Sequence, residues 1–193
     1  MIDQKNDIRI RPCIPEDYPK IYKWLFYSDI PCFNNLIREE YDCTIPAPEV
    51  FREDYQPYFF DGTAPEKGRS YMILCDHQEA GHISYTSFHL LEGIAELDIW
   101  LAGEKFSKKG IGPEAIRKLS HHLFQNNFHT VFMRPATVNS SAIKAYQKAG
   151  LKIIVPDYSQ FYRKDFLELY SDGDLGEGND VFMVCTKKNR VQP

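Results

Sequence analysis

A chain of 193 residues with 43% hydrophobic and 26% charged side chains is long enough for one domain with a proper core and short for two. Its apolar content, with 13 Phe and 12 Tyr, excludes a disordered chain, and a net charge of −4 argues against a nucleic-acid partner. No apolar run approaches the ~20 residues of a bilayer span, and Met1–Asp7 has no signal-like apolar stretch, so a cytoplasmic protein with no membrane partner is expected.

In chain order, Ile8-Arg9-Ile10-Arg11 alternates apolar and charged residues and predicts a strand. Pro15 then opens a helix with Glu16 and Asp17 in its first turn and Ile21, Trp24 and Leu25 at helical spacing. Residues from about Ser28 to Pro46 read as irregular. A second helix is expected from Pro48, with Phe51, Tyr55, Tyr58 and Phe59 on one side. Tyr71–Cys75 and Gly81–Phe88 predict a hairpin around the polar turn Asp76–Glu79.

A longer strand is expected at Ile94–Leu101, then a glycine-bearing loop and a helix from Pro113 with Ile116, Leu119, Ser120 and Leu123 inward. Strand Thr130–Arg134 and helix Ser140–Ala149 follow, the helix capped by Asn139 and ended by Gly150. Val181–Thr186 is the last strand. The order predicts a mixed α/β (α+β) sandwich in a single domain over 1–193.

Five cysteines, Cys13, Cys32, Cys43, Cys75 and Cys185, are scattered without a CxxC pair, so reduced thiols and no metal site are expected. The charge is split along the chain. Lys105–Lys152 holds nine bases and one acid, Glu114, whereas Asp157–Asp180 holds seven acids against Arg163 and Lys164. Such a division suits an anionic ligand beside a cationic one, or two solvated faces.

The chemistry concentrates at Ser107-Lys108-Lys109-Gly110-Ile111-Gly112-Pro113. Two glycines before a helix start allow close backbone approach to a diphosphate. A P-loop is excluded because no Gly-Lys-Ser/Thr triplet follows. Gly110, Gly112 and Ala115 fit G-x-G-x-x-A, but the next strand ends in Arg134 where a dinucleotide fold places an acid. On the preceding strand Glu96, Asp98 and Trp100 share one face, and Ala95, Leu97, Ile99 and Leu101 the other. The two acids are candidates for proton transfer; alternatively they pair with nearby bases or face water. Ala142 and Tyr146 share a helix face downstream.

The loop Ser107–Ala115 and the run Asn139–Leu151 together resemble the coenzyme A-binding core of the GNAT (GCN5-related N-acetyltransferase) superfamily. Within it, Ile10–Trp24, Tyr71–Tyr85, Leu97–Ala102 and Asn139–Leu151 are similar to the aminoglycoside 6′-N-acetyltransferases. The resemblance implies a twisted, mostly antiparallel sheet with splayed central strands and flanking helices. It further implies acetyl-CoA as co-substrate and a small-molecule amine, an aminoglycoside, as acceptor, in a monomer or homodimer. Amides around Lys108–Gly112 hold the pyrophosphate, with Ser107 and Pro113 at the loop's ends, and Ile99, Trp100 and Leu101 bind the pantetheine arm. Asn139, Ala142 and Lys148 also face the coenzyme. Asp98 takes the base position and Tyr146 stands near the thioester sulfur, while Trp24, Tyr85, Glu96 and Asp98 are assigned to the acceptor. Ser107 departs from the family's usual Arg or Gln, and Pro113 lacks an N–H.

By this reading an amine attacks the thioester directly. An unperturbed Asp at ~3.9 is a weak base for an ammonium near ~10.4, so Asp98 needs a raised pKa or a water relay. Asp157–Asp180 with Glu39, Glu40 and Asp42 are candidate walls for a polycation. A polyamine, another small amine, a protein N-terminus, or a non-catalytic acyl-CoA-binding module are the alternatives.

Overall fold

Residues 6–30, 44–170, 175 and 179–188 are described in the computed structural model of the chain. Readings that concern Met1–Lys5, Cys32, Glu39, Glu40, Asp42, Cys43, Asp172, Asp174 and Glu177 lie outside them.

The alternating N-terminal run forms β1 (Ile8–Pro12), antiparallel to β2 (Gly68–Cys75), with Ile8 opposite Cys75 and Pro12 opposite Tyr71. Asp76 and His77, at φ of 48° and 66°, turn directly into β3 (Gln78–Thr86). Two left-handed residues match the twist of a tight hairpin, so this turn is shorter than the four polar residues suggested. β4 (Ile94–Leu101) runs parallel to β5 (Thr130–Met133). β7 (Met183–Thr186) is antiparallel to both β5 and β6 (Lys152–Ile153). The seven strands follow the order β1-β2-β3-β4-β5-β7-β6, the mixed, mostly antiparallel sheet that was expected.

Pro15–Asp17 forms a 3-10 turn before helix α1 (Tyr18–Phe26). The helix expected from Pro48 is two pieces, α2 (Pro48–Asp54) and α3 (Tyr58–Asp61). Pro57 is the reason: it has no N–H to donate and disfavours helical backbone at Gln56. Helix α4 spans Ile111–Gln125, with Ile116, Leu119, Ser120 and Leu123 all buried as expected. It starts two residues before Pro113, which the first turn tolerates because its amides lack intrahelical partners. Helix α5 (Ser140–Ala149) has Asn139 as N-cap and Gly150, at φ 101°, as C-cap. A short helix α6 (Lys164–Leu167) was not anticipated.

The chain falls into two compact units, Met1–Ser84 with Ile99–Ala115, and Tyr85–Asp98 with Ile116–Pro193. In the first, α1, α2 and α3 bury Tyr18, Ile21, Leu25, Phe26, Phe51 and Phe60 with Met72 and Trp100. In the second, Leu90, Ile94, Phe132, Phe161, Tyr162 and Phe182 form the core, Phe132 stacked on Phe182 at 4.6 Å. Burial of each such side chain stabilises by about 1.5–3 kcal/mol. Cys13, Cys75 and Cys185 are buried free thiols. Among the described residues no helix is long and apolar enough to cross a membrane.

Candidate active site

The register between β4 and β5 runs from Ile94 opposite Thr130 to Glu96 opposite Phe132, yet β4 continues to Leu101. The pairing therefore ends at Glu96, and β5 itself ends one residue later, at Met133. Asp98 is the next residue on the face that Glu96 occupies, and it is exposed.

Glu96 is engaged within the protein. Its Oε1 accepts a 2.8 Å hydrogen bond from Arg134 Nε, and its Oε2 lies 3.4 Å from His89 Nε2. Burial opposes its charge, but the bond to His89 and the Arg134 guanidinium prevail and hold its pKa below the ordinary carboxylate value. Arg134 Nη1 also lies 3.6 Å from Asp180 Oδ2. Burial pushes Asp180 up, against Arg134 and together with Glu96. The acceptor role expected of Glu96 is corrected to an ion pair within the protein.

Tyr146 on α5 lies within electrostatic reach of Asp98. Burial raises its pKa, and the negative charge of Asp98 raises it further. A phenol so placed stays protonated at neutral pH and is a hydrogen-bond donor rather than a ready acid. At the start of the same helix, Asn139 Oδ1 accepts the Ala142 N–H at 3.1 Å, so that side chain caps the helix it was expected to open. Lys148 is exposed, and its carbonyl accepts from Arg117 Nη1 at 2.8 Å.

After β4, a 3-10 turn at Glu104–Phe106 buries Phe106 and leads into Ser107. Lys108 at φ 59° and Gly110 at φ 75° are both left-handed, and helical Ile111 follows. Left-handed and right-handed residues in succession turn their amides to one side, the geometry of an anion nest. A Cβ built on Gly110 or on Gly112 meets nothing within 4 Å. The space beside the first turn is thus open, as a diphosphate cradle requires, with exposed Lys108 and Lys109 beside it. Ser107 is half-buried at the loop entry, Ile111 is buried, and Pro113 is half-buried without an N–H to offer.

Ile99 and Leu101 are half-buried at the end of β4. Trp100 is buried instead, its ring 4.3 Å from that of His82, so its side chain belongs to the core and only its backbone can serve a ligand. Trp24 is half-buried and lines a cleft of about 610 Å³ with Leu74, His77, Glu79, Lys105 and Phe106. Glu79 there is engaged by Lys20 at 2.7 Å and Arg11 at 3.1 Å. Tyr85, expected to meet the acceptor, is 3% exposed and packs edge-on against Phe128 at 5.5 Å. Burial against Phe128 makes it a core residue. The described acids of the expected polycation wall are also occupied. Asp165 pairs with Arg163 at 2.7 Å, and Asp157 accepts from Ser159 and Gln160.

Sequence reasoning missed His82 and the Arg134 network. His82 is fully buried on β3, and neither ring nitrogen has a partner among the described residues. Burial lowers its pKa to about 3 despite the opposing charge of Asp17. Its only sequence signal was its place in the run Ala80–Ser84.

A parallel ladder that ends at Glu96, an exposed carboxylate two residues on and an open glycine loop after the same strand are the parts that an acyl-coenzyme-dependent transferase needs. The acetyltransferase (GNAT) domain model matches residues 7–152, and the chain belongs to this family of N-acetyltransferases. Among solved structures, the aminoglycoside acetyltransferase AAC(6′)-Ib in complex with coenzyme A superposes with a TM-score of 0.66 at 19% identity, over 95% of this chain and 96% of that one. The spermidine N-acetyltransferase from Vibrio cholerae, in complex with CoA and spermine, does so with 0.66 at 16%, over 94% and 96%. A probable acetyltransferase gives 0.65 at 19%, over 94% of each.

Proposed function

We propose that the chain transfers the acetyl group of acetyl-CoA to a primary amine of a small polycation, foremost the 6′-amine of an aminoglycoside, by direct attack in a ternary complex. The observation that carries this reading is the exposed Asp98, one alternate position beyond the last β4–β5 pair, Glu96 opposite Phe132.

Amides of the Lys108–Gly112 nest hold the pyrophosphate, and the open space at Gly110 and Gly112 fits such a group. The backbone of Ile99–Leu101 receives the pantetheine arm. When bound, the coenzyme supplies an activated thioester. Asp98 orients the acceptor ammonium and takes its proton, directly or through water, so that the nitrogen lone pair is free. The Tyr146 hydroxyl donates a hydrogen bond to the departing sulfur; a thiol near ~8.5 asks little more. Positioning is the larger contribution, roughly 7–11 kcal/mol for reactants held in line. Trp24 offers an aromatic face for the acceptor in a cleft otherwise lined largely by polar side chains. The family match draws on residues of both compact units, which supports one functional domain over the whole chain.

A polyamine acceptor is the second reading, since the spermidine enzyme superposes as well as the aminoglycoside enzyme, at 0.66 each. Thiol release from acetyl-CoA, followed with kanamycin-type aminoglycosides, spermidine and short peptides, decides between them. Turnover with an aminoglycoside at a kcat/KM at least tenfold above the others is expected. Turnover with spermidine alone overturns the first reading, and coenzyme binding without turnover on any amine overturns both.

A further inference from the structure

Glu96 and Asp98 occupy alternate positions on one strand, about 6.7 Å apart along it. At that range an unpaired carboxylate opposes ionisation of Asp98, and an unpaired guanidinium favours it. The structure presents neither alone. Arg134 Nε is 2.8 Å from Glu96 Oε1, and the side chains of both are 20% exposed. The pair sits where the β4–β5 register ends, at Glu96 opposite Phe132, two residues before Arg134.

We propose that Arg134, through its pairing with Glu96, is a positioning residue that sets the charge state of Asp98 and with it the pH range of acetyl transfer. The inference rests on Asp98 as the proton acceptor. Asp98 is the next residue after Glu96 on one face of the same strand, and its charge reaches Tyr146 on α5. Glu96 is faced in turn by Arg134 after β5, by His89 from the connection before β4, by Tyr162, and by Asp180 ahead of β7. Among these, Arg134 is the one permanent cation, because a guanidinium stays protonated throughout the accessible range. Removing it leaves Glu96 and Asp180 as uncompensated negative charge; removing Glu96 leaves the guanidinium less compensated.

A merely structural ion pair predicts the same direction of damage from either side, whereas charge setting predicts opposite signs. The test is the pH dependence of kcat for the wild type, Arg134→Met, Glu96→Gln, the double variant and Arg134→Lys. The acidic limb is expected to rise by roughly 0.5–1 pH unit in Arg134→Met and to fall by a similar amount in Glu96→Gln. In the double variant and in Arg134→Lys it should return to within about 0.3 unit of the wild type. Should Arg134→Met not fold, Glu96→Gln against the double variant, in which only the partly buried Asp180 loses its partner, gives the same discrimination. Single-variant limbs that move together, or not at all, overturn the proposal. Asp98→Asn, assayed alongside, separates the two failures. If it keeps wild-type kcat, the proton-acceptor reading falls and this inference with it; if it is inactive while the limbs stay put, only the role of Arg134 falls.

Discussion

The carboxylate of Asp98 lies within electrostatic reach of the phenol of Tyr146 and, with burial, raises the pKa of that phenol above its ordinary value. The two groups are therefore unequal partners. Asp98 is exposed, while Tyr146 is held neutral. Asp98→Asn is expected to lower kcat by about 10²–10⁴, the usual range for a lost general base. Tyr146→Phe should lower it by less than about tenfold, since a leaving thiol near ~8.5 needs little help. Steady-state kinetics with saturating acetyl-CoA measures both; equal, near-wild-type kcat values contradict the roles.

Neutral Tyr146 also shapes the alkaline side. Because its pKa is raised, kcat should show no loss assignable to this phenol below about pH 10, the ordinary tyrosine value. Comparing the alkaline limb of wild type and Tyr146→Phe checks this, and a limb near pH 9 that vanishes in the variant contradicts it.

In the first unit, Asp17 is 3% exposed and meets Arg11 through both oxygens, at 2.6 and 2.8 Å, with the Ile14 N–H at 3.0 Å. Burial opposes its charge, but these bonds hold its pKa below the ordinary value. The folded pKa is depressed, so the stability it contributes is present above ~3.9 and is lost as pH falls through the folded value. Asp17→Asn should destabilise by roughly 3 kcal/mol at pH 7, the low end for breaking a buried pair, because Arg11 remains partly solvated. Denaturant melts at pH 7 and at pH 3 should show the gap narrowing in acid.

His82 makes the opposite case. Its folded pKa of about 3 lies below the ordinary ~6.5, so the wild type loses stability as pH drops from about 6.5 toward 3. His82→Phe keeps a ring against Trp100 and removes two buried nitrogens that have no partner among the described residues. It should stabilise by about 1 kcal/mol at pH 7. By pH 5 the advantage should grow by about 2 kcal/mol. Melting curves at the two pH values measure it, and a variant equal to or weaker than wild type at pH 5 contradicts it.

Gly81 and Gly112 separate packing from binding. A Cβ on Gly81 would lie 2.5 Å from the Trp100 carbonyl oxygen and 2.9 Å from Leu101 Cα, both backbone atoms that cannot step aside. Gly81→Ala should therefore displace the end of β4 and lower the melting temperature, by about 1–3 kcal/mol in stability.

Most strands and the long helices were legible because their periods are local. Ile116, Leu119, Ser120 and Leu123 mark the buried face of α4, and Asn139 with Gly150 brackets α5 by capping chemistry alone. Pro57 was a legible break that the aromatic spacing of Phe51, Tyr55 and Phe59 outweighed. β6 was hidden because two residues carry no period, and Lys152 and Ile153 become a strand only by pairing with Val184 and Met183. At the site, the nest and Asp98 could be read from glycine spacing and strand alternation. The Glu96–Arg134 pair could not, because it joins residues 38 apart whose neighbourhood is set by the parallel strands. Tyr85 was read for its polar tip, whereas its ring decides its place.

Coenzyme binding by the nest is the claim on which the rest depends, and calorimetric titration of coenzyme A into wild type and Gly112→Val tests it directly. Since the added Cβ meets no described residue within 4 Å beyond its own helix turn, the free variant should melt within about 2 °C of wild type. Its affinity for coenzyme A should fall at least tenfold, about 1.4 kcal/mol, because the side chain fills space the diphosphate needs. Equal affinity in the two proteins, or no binding by wild type, would contradict the account.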